Sequence, residues 1–298
     1  MHRLPIRGGT AVVEDTGHGA PVVLIHGSAG SRLQWTRLTA RLSTCYRVLA
    51  PDLTGYGGTS WPAVDDGTVA DDDVALLRDL LAWIDEPVRL VGHSYGACVA
   101  AIVARQMPEH VTRLVLIEPA AFHLLRRTGD ETWPEIRDVA HAHMEAAWKA
   151  DFAGCAHRLM RYWIGADAWT ALSPDRAERV VNAMHKVALE WVAAFELDDD
   201  PEDYAQLAMP TLLICGTDTT RAARRVVELL HAAIAGSERG DVVGAGHLAP
   251  FTHADTVNLA IERHLNRGTA GTGRNGGTPI YGRRDNQSVA ASADNGFA

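Results

Sequence analysis

The stretch Arg89–Cys98 reads RLVGHSYGAC and holds Ser94, the side chain best placed along this chain to do chemistry. Ser94 lies in Gly92-His93-Ser94-Tyr95-Gly96, a G-x-S-x-G sequence between the apolar run Leu90-Val91 and an alanine-rich helical run to Met107. A serine at the apex of so tight a strand-to-helix turn takes unfavourable backbone angles, so the residues two before and two after it must lack bulk. The strain turns the hydroxyl away from the sheet, beside the N–H groups that open the helix. A hydroxyl presented in this way is a candidate nucleophile. Other polar residues stand, like it, where apolar runs end: His26-Gly27, Asp52 and Glu118.

The elements that must position these residues alternate along the chain. Residues 11–14 and 21–25 read as short strands joined by the turn 15–20, and a helix over about 32–42 puts Trp35, Leu38 and Leu42 on one face. A strand at 47–50 leads into DLTGYGGTS at 52–60. The helix over 71–84 is acidic in its first turn, as the helix macrodipole favours. A strand at 88–91, the helix 95–107 and a strand at 111–117 follow. Short apolar strands alternating with helices predict a mostly parallel sheet covered on both faces, with its site at the carboxyl ends of the strands.

Between about 120 and 204 the pattern changes to helical stretches alone, rich in aromatic residues that include Trp133, Trp148, Trp163 and Trp191. This predicts a helical insertion. Most of its rings are expected to hold it to itself and to the core, with a few, here Trp163 and Trp191, lining a pocket for a hydrophobic substrate. Asp198-Asp199-Asp200-Pro201 reads as a polar linker back to the sheet, which resumes at 209–215. A helix over 221–235, a last strand at 238–243, the turn Gly244-Ala245-Gly246-His247 and a helix over 253–265 complete the pattern. The expected organisation is a core of residues 1–119 and 206–267, a helical cap at 120–205, and a disordered tail at 268–298 whose composition shifts to Gly, Thr, Asn, Ser and Ala.

Composition narrows the function. Hydrophobic residues make up 47% of the 298, enough for a large packed core, and the net charge of −9 argues against nucleic-acid binding. The longest apolar runs are too short to span a bilayer, and the N-terminus lacks the apolar run of a secretory signal. The four cysteines, Cys45, Cys98, Cys155 and Cys215, form no C-x-x-C pair, and the fourteen histidines include no H-E-x-x-H. A cytoplasmic protein without metal or other cofactor is expected. Oligomeric state is not legible.

Four segments together, HGSAG (26–30), DLTGYGGTS (52–60), GHSYG (92–96) and GAGH (244–247), resemble the α/β-hydrolase superfamily in order and spacing, and the resemblance covers roughly residues 9–267. It implies the α/β-hydrolase fold with a helical cap, Ser94 as nucleophile and His247 as the general base. It places the oxyanion hole at the backbone N–H groups of Ser28 and Tyr95, with Gly27 leaving room for the substrate carbonyl. His26 and His93 are taken as structural, and Asp52 as ordering its loop. The acid departs from the family pattern. The usual position after the seventh strand holds Thr219, with Asp218 one residue early, whereas Glu118 ends the sixth strand. The segment LIEPAAFHLL (116–125) is similar to a branch that includes lactone hydrolases acting on zearalenone and uses a glutamate there. Glu118 is favoured and Asp218 is the alternative. The resemblance implies a serine hydrolase cleaving a hydrophobic ester or lactone. A carbon–carbon bond hydrolase or perhydrolase with the same triad, and a slow-turnover ligand-binding protein, are the other readings.

Overall fold

Four strands, β3 (Pro21–Ile25), β5 (Val88–His93), β6 (Val111–Ile117) and β7 (Thr211–Gly216), are buried along almost their whole length and form the centre of the sheet. The computed structural model describes residues 1–6, 9–61, 68–267 and 280–281. β1 (His2–Ile6), β2 (Gly9–Gly17), β4 (Arg47–Pro51), β8 (Glu238–Val242) and β9 (Ile280–Tyr281) complete a nine-stranded sheet in the order β1-β2-β4-β3-β5-β6-β7-β8-β9. β2 runs antiparallel to both its neighbours, and the other pairings are parallel.

Burial on both faces follows from the two-residue period of a strand. Val23, Ile25, Leu49, Leu90, Leu114, Leu116 and Leu213 point into one core, under α2 (Val69–Ile84) and α3 (Tyr95–Gln106). Their alternates Val22, Leu24, Val48, Val91, Val115, Ile117 and Leu212 point into the other, under α1 (Thr36–Leu42) and α10 (Ala254–Asn266). α2 starts at a capping box in which Thr68 and Asp71 each satisfy the other's backbone N–H. The segment read as one helix over 32–42 opens instead with a 3₁₀ turn, Arg32–Trp35, before α1.

Between β6 and β7 lie α4 (His123–Arg127), α5 (Trp133–Trp148), α6 (Phe152–Trp163) and α7 (Pro174–Glu196). Val180, Met184, Val187 and Trp191 recur at helical spacing along α7 and join the same core as α3, so these helices pack continuously with the sheet's first face. The stretch expected to be a plain polar linker is pinned: Asp199 pairs with Arg105 at 2.8 Å and Asp200 with Arg127 at 2.7 Å. After β7 come α8 (Arg221–Ala233), β8, α9 (Ala249–Thr252) and α10.

Two strands lie outside the sequence reading. The first residues form a strand, β1, that the sequence pattern did not indicate. The tail expected to be disordered contributes β9, which pairs with the outer edge of β8, where strand N–H and C=O groups would otherwise stand open. The rest of that expectation, 268–279 and 282–298, lies outside the described residues. No described helix is long and apolar enough to cross a membrane.

Candidate active site

Ser94 sits between β5 and α3 at φ 53° and ψ −121°, the strained conformation that the flanking glycines predict. A side chain at Gly92 would lie 2.6 Å from the Ala97 Cα, and one at Gly96 would lie 2.2 Å from the His26 carbonyl oxygen. The turn is locked to the neighbouring strand end. Ser94 N–H donates to the Ile117 carbonyl at 2.9 Å, and Ala120 N–H donates to the Ser94 carbonyl at 3.0 Å.

Glu118, the residue after β6, also has a left-handed backbone, φ 41°, and is 1% exposed. Its Oε1 accepts from Gly216 N–H at 2.8 Å. Its Oε2 accepts from the Thr219 hydroxyl at 2.7 Å and lies 2.8 Å from His247 Nδ1. A carboxylate only accepts, so Nδ1 carries the hydrogen and Nε2 has its lone pair free. That Nε2 lies 2.9 Å from Ser94 Oγ. The three side chains form one continuous relay, each of them buried.

Asp218 does not join it. The main chain after β7 is held by Asp218 N–H donating to the Ala245 carbonyl, and the exposed carboxylate accepts from the Thr217 hydroxyl instead. The position after β7 where an acid was sought holds Thr219, whose hydroxyl supports the carboxylate arriving from β6.

The residues read as structural hold the site in place. His26 donates from Nδ1 to the Gly27 carbonyl and accepts Leu53 N–H at Nε2. Asp52 ties Arg32 and Gly58 N–H across its loop. His93 donates from Nε2 to the His247 carbonyl at 3.0 Å, fixing the loop that carries His247. Burial and the adjacent His247 ring push the His93 pKa down to about 3, so this bond is made by a neutral ring.

The relay floors a pocket whose lining is mostly apolar. Gly27, Ser28 and Tyr95 border it on the sheet side, and Tyr95 is the first residue of α3. The helices between β6 and β7 supply the opposite wall, including Leu159, Trp163, Val187 and Trp191. Trp163 and Trp191 both stack on Phe122. Trp163 does more than line the wall: it lies over the His247 ring with centroids 3.9 Å apart. Trp148, by contrast, is 91% exposed.

Sequence reasoning missed a buried ionic cluster behind this wall. Lys186 Nζ lies 2.8 Å from Asp73 Oδ2 and 3.1 Å from Glu190 Oε1, with all three side chains at most 3% exposed. Asp73 also accepts from the Tyr95 hydroxyl at 2.8 Å and from Thr54 N–H and hydroxyl. Lys186 and Glu190 stand four apart on α7, a spacing that reads as a surface ion pair, so the only signal for their burial was the apolar stripe beside them.

A family model described as alpha/beta hydrolase fold matches residues 20–254. The chain is 28% identical over 257 residues to the putative carbamate hydrolase RutD of Klebsiella pneumoniae, covering 82% of this chain and 90% of that protein. It is 29% identical over 240 residues to a pimeloyl-(acyl-carrier protein) methyl ester esterase of Neisseria meningitidis, covering 78% and 88%. A shorter stretch of 102 residues, 34% of this chain, is 39% identical to an uncharacterized protein of Mycobacterium tuberculosis and spans 29% of that protein's length. Among solved structures, a bromoperoxidase from Bacillus anthracis superposes with a TM-score of 0.71 at 23% identity, covering 89% of this chain and 100% of that one. The enol-lactonase from Burkholderia xenovorans gives 0.67 at 18%, with the same coverage. At these identities the two structures share the fold.

Proposed function

This chain belongs to the alpha/beta hydrolase fold family, and from that premise we propose that it is a serine hydrolase cleaving a carboxylic ester or lactone of a hydrophobic small molecule through an acyl-enzyme. The observation that carries the reading is the relay Ser94 Oγ–His247–Glu118 at the floor of a mostly apolar pocket. Ser94 is the nucleophile, His247 the general acid and base, and Glu118 the residue that orients the imidazole.

Ser94 Oγ attacks the carbonyl carbon while His247 Nε2 takes its proton, and Glu118 Oε2 stabilises the imidazolium that results. The carbonyl oxygen, now anionic, accepts hydrogen bonds from the N–H groups of Tyr95 and Ser28. Collapse of this intermediate breaks the carbon–oxygen bond to the leaving alkoxide, which receives the proton from His247. Water then attacks the acyl-Ser94 ester, gives its proton to His247, and the acid leaves as Ser94 Oγ regains that proton. With a lactone the alcohol stays attached to the acyl group, and the product is one hydroxy acid.

The test is intact-protein mass after incubation with a small fluorophosphonate. A single adduct on the wild type that is absent from Ser94→Ala supports the reading and directs attention to an ester and lactone panel. Folded wild-type protein that takes no adduct overturns it.

A further inference from the structure

Lys186 and Glu190 take no part in the relay, yet the contacts of their buried cluster run to both residues whose N–H groups are assigned to the oxyanion hole. Asp73, on α2, divides its acceptors. Its Oδ1 takes the Thr54 N–H and hydroxyl, and its Oδ2 takes the Tyr95 hydroxyl and Lys186 Nζ, the last two at 2.8 Å. Lys186 Nζ also lies 3.1 Å from Glu190 Oε1, one turn along α7. The Ser28 and Tyr56 hydroxyls are further hydrogen-bond partners of the Glu190 carboxyl group. One buried ammonium thus joins a branch that ends on Tyr95 to a branch that ends on Ser28.

The two ends need holding for different reasons. Tyr95 opens α3, where the first N–H groups have no acceptor within the helix and are available to an anion. Ser28 lies in the loop after β3, beside Ala29 at φ 53°, so its N–H points where the turn of that loop directs it. Such donors act on a developing oxyanion only at hydrogen-bond distance, and a small displacement of either is costly. Apolar side chains of similar volume would hold α7 to α2 as well as these buried charges do. Only polar groups hold two hydroxyls by direction as well as by distance.

We propose that Lys186 and Glu190 are positioning residues for ester or lactone cleavage: through Asp73 and Tyr95 on one branch, and through Ser28 on the other, they hold the two N–H groups of the oxyanion hole in register, so that seating α7 on α2 also sets the hole. The proposal rests on the hydrolase reading above and names what fixes the geometry of the same site. Both residues act through others, so their effect belongs to the transition state, where the carbonyl oxygen becomes anionic, and not to binding of the neutral ester.

The test takes three readings on one substrate shape. These are kcat for 4-nitrophenyl 3-phenylpropanoate, the affinity of that ester in a Ser94→Ala background, and inhibition by 2-phenylethyl trifluoromethyl ketone. Ser94 Oγ bonds to the ketone carbon as His247 takes its proton, and the former carbonyl oxygen is left as an anion in the hole. Tyr95→Phe removes the hydroxyl and keeps the backbone N–H, and Glu190→Leu removes the group that holds Ser28. Each is expected to lower kcat about tenfold and to weaken the ketone by a similar factor, with ester affinity in the Ser94→Ala background within about twofold. Glu190→Gln, whose amide still bonds the Ser28 hydroxyl, should recover most of the loss. Thr54→Val, which takes a donor from the other oxygen of Asp73, should lower the urea midpoint while kcat and ketone inhibition stay within about twofold. Unchanged kcat and ketone inhibition in folded Tyr95→Phe and Glu190→Leu overturn the assignment, as does an equal loss in Thr54→Val or a fall in ester affinity as large as that for the ketone. Should Glu190→Leu fail to fold, Tyr95→Phe decides. Wild type that takes a fluorophosphonate adduct keeps the premise whatever the variants do, and wild type that takes none overturns premise and proposal together.

Discussion

On the sheet side of the pocket Glu118 is 1% exposed and both its oxygens are occupied, by Gly216 N–H, Thr219 and His247. On the α7 side Glu190 is 3% exposed and is ion-paired with Lys186. The two residues have the same side chain and nearly the same burial. A carboxylate with both oxygens engaged is fixed in place and fixes its partner, which suits a residue that orients an imidazole. A carboxylate paired with a buried ammonium instead ties two helices together. Partnering, more than burial, separates the two carboxylates.

The largest effect should come from the sheet side. Ser94→Ala is expected to lower kcat for an activated ester by a factor on the order of 10⁴ or more, with the fold intact by circular dichroism. Glu118→Gln keeps the shape but replaces an acceptor with a donor facing Nδ1–H, and should lower kcat by roughly 10²- to 10⁴-fold. Asp218→Asn, whose carboxylate faces solvent, should leave it within about twofold. Near-full turnover in Glu118→Gln would dissolve the contrast between the two glutamates.

On the α7 side the expected cost is to stability. Lys186→Met leaves Asp73 and Glu190 buried without their cation, and breaking such a cluster typically costs about 3–5 kcal/mol, measurable by urea denaturation. An unchanged midpoint would mean that the cluster is solvated.

Both sides carry buried neutral imidazoles. Burial lowers His93 to about 3 and His143, on α5, to about 4. Between pH 6.5 and about 4 the unfolded chain therefore binds protons that the folded one does not. Stability should fall as pH falls through that window, by roughly 1 kcal/mol per pH unit for each ring. Thermal melts at pH 7, 6 and 5 check this, and a flat Tm across them would contradict it. The smallest effect belongs to the exposed Arg127–Asp200 pair, where Arg127→Ala should move Tm by less than about 3 °C.

Much of this molecule is legible along the chain because local rules govern it. The turn around Ser94 demands glycine on both sides, continuous apolar runs mark strands buried on two faces, and alternation with helices gives the parallel sheet. The pairing of Glu118 with His247 is half legible: its position at a strand end is in the sequence, but its victory over Asp218 depended on which way the loop after β7 turns. That direction is set by a bond from Asp218 N–H to the Ala245 carbonyl, which no local pattern encodes. β1 and β9 escaped for a related reason, since edge strands are completed by the neighbour they join.

The sequence by itself determined the strained serine, the alternation of central strands and helices, and the helical stretch between β6 and β7, since sterics and periodicity act between residues close in the chain. Only the tertiary structure decided that Lys186 and Glu190 face inward. An i,i+4 Lys–Glu pair is ordinary on a wet helix face. It becomes a buried cluster only because α7 packs over α2 and brings Asp73, more than a hundred residues earlier, to within hydrogen-bonding distance of Lys186.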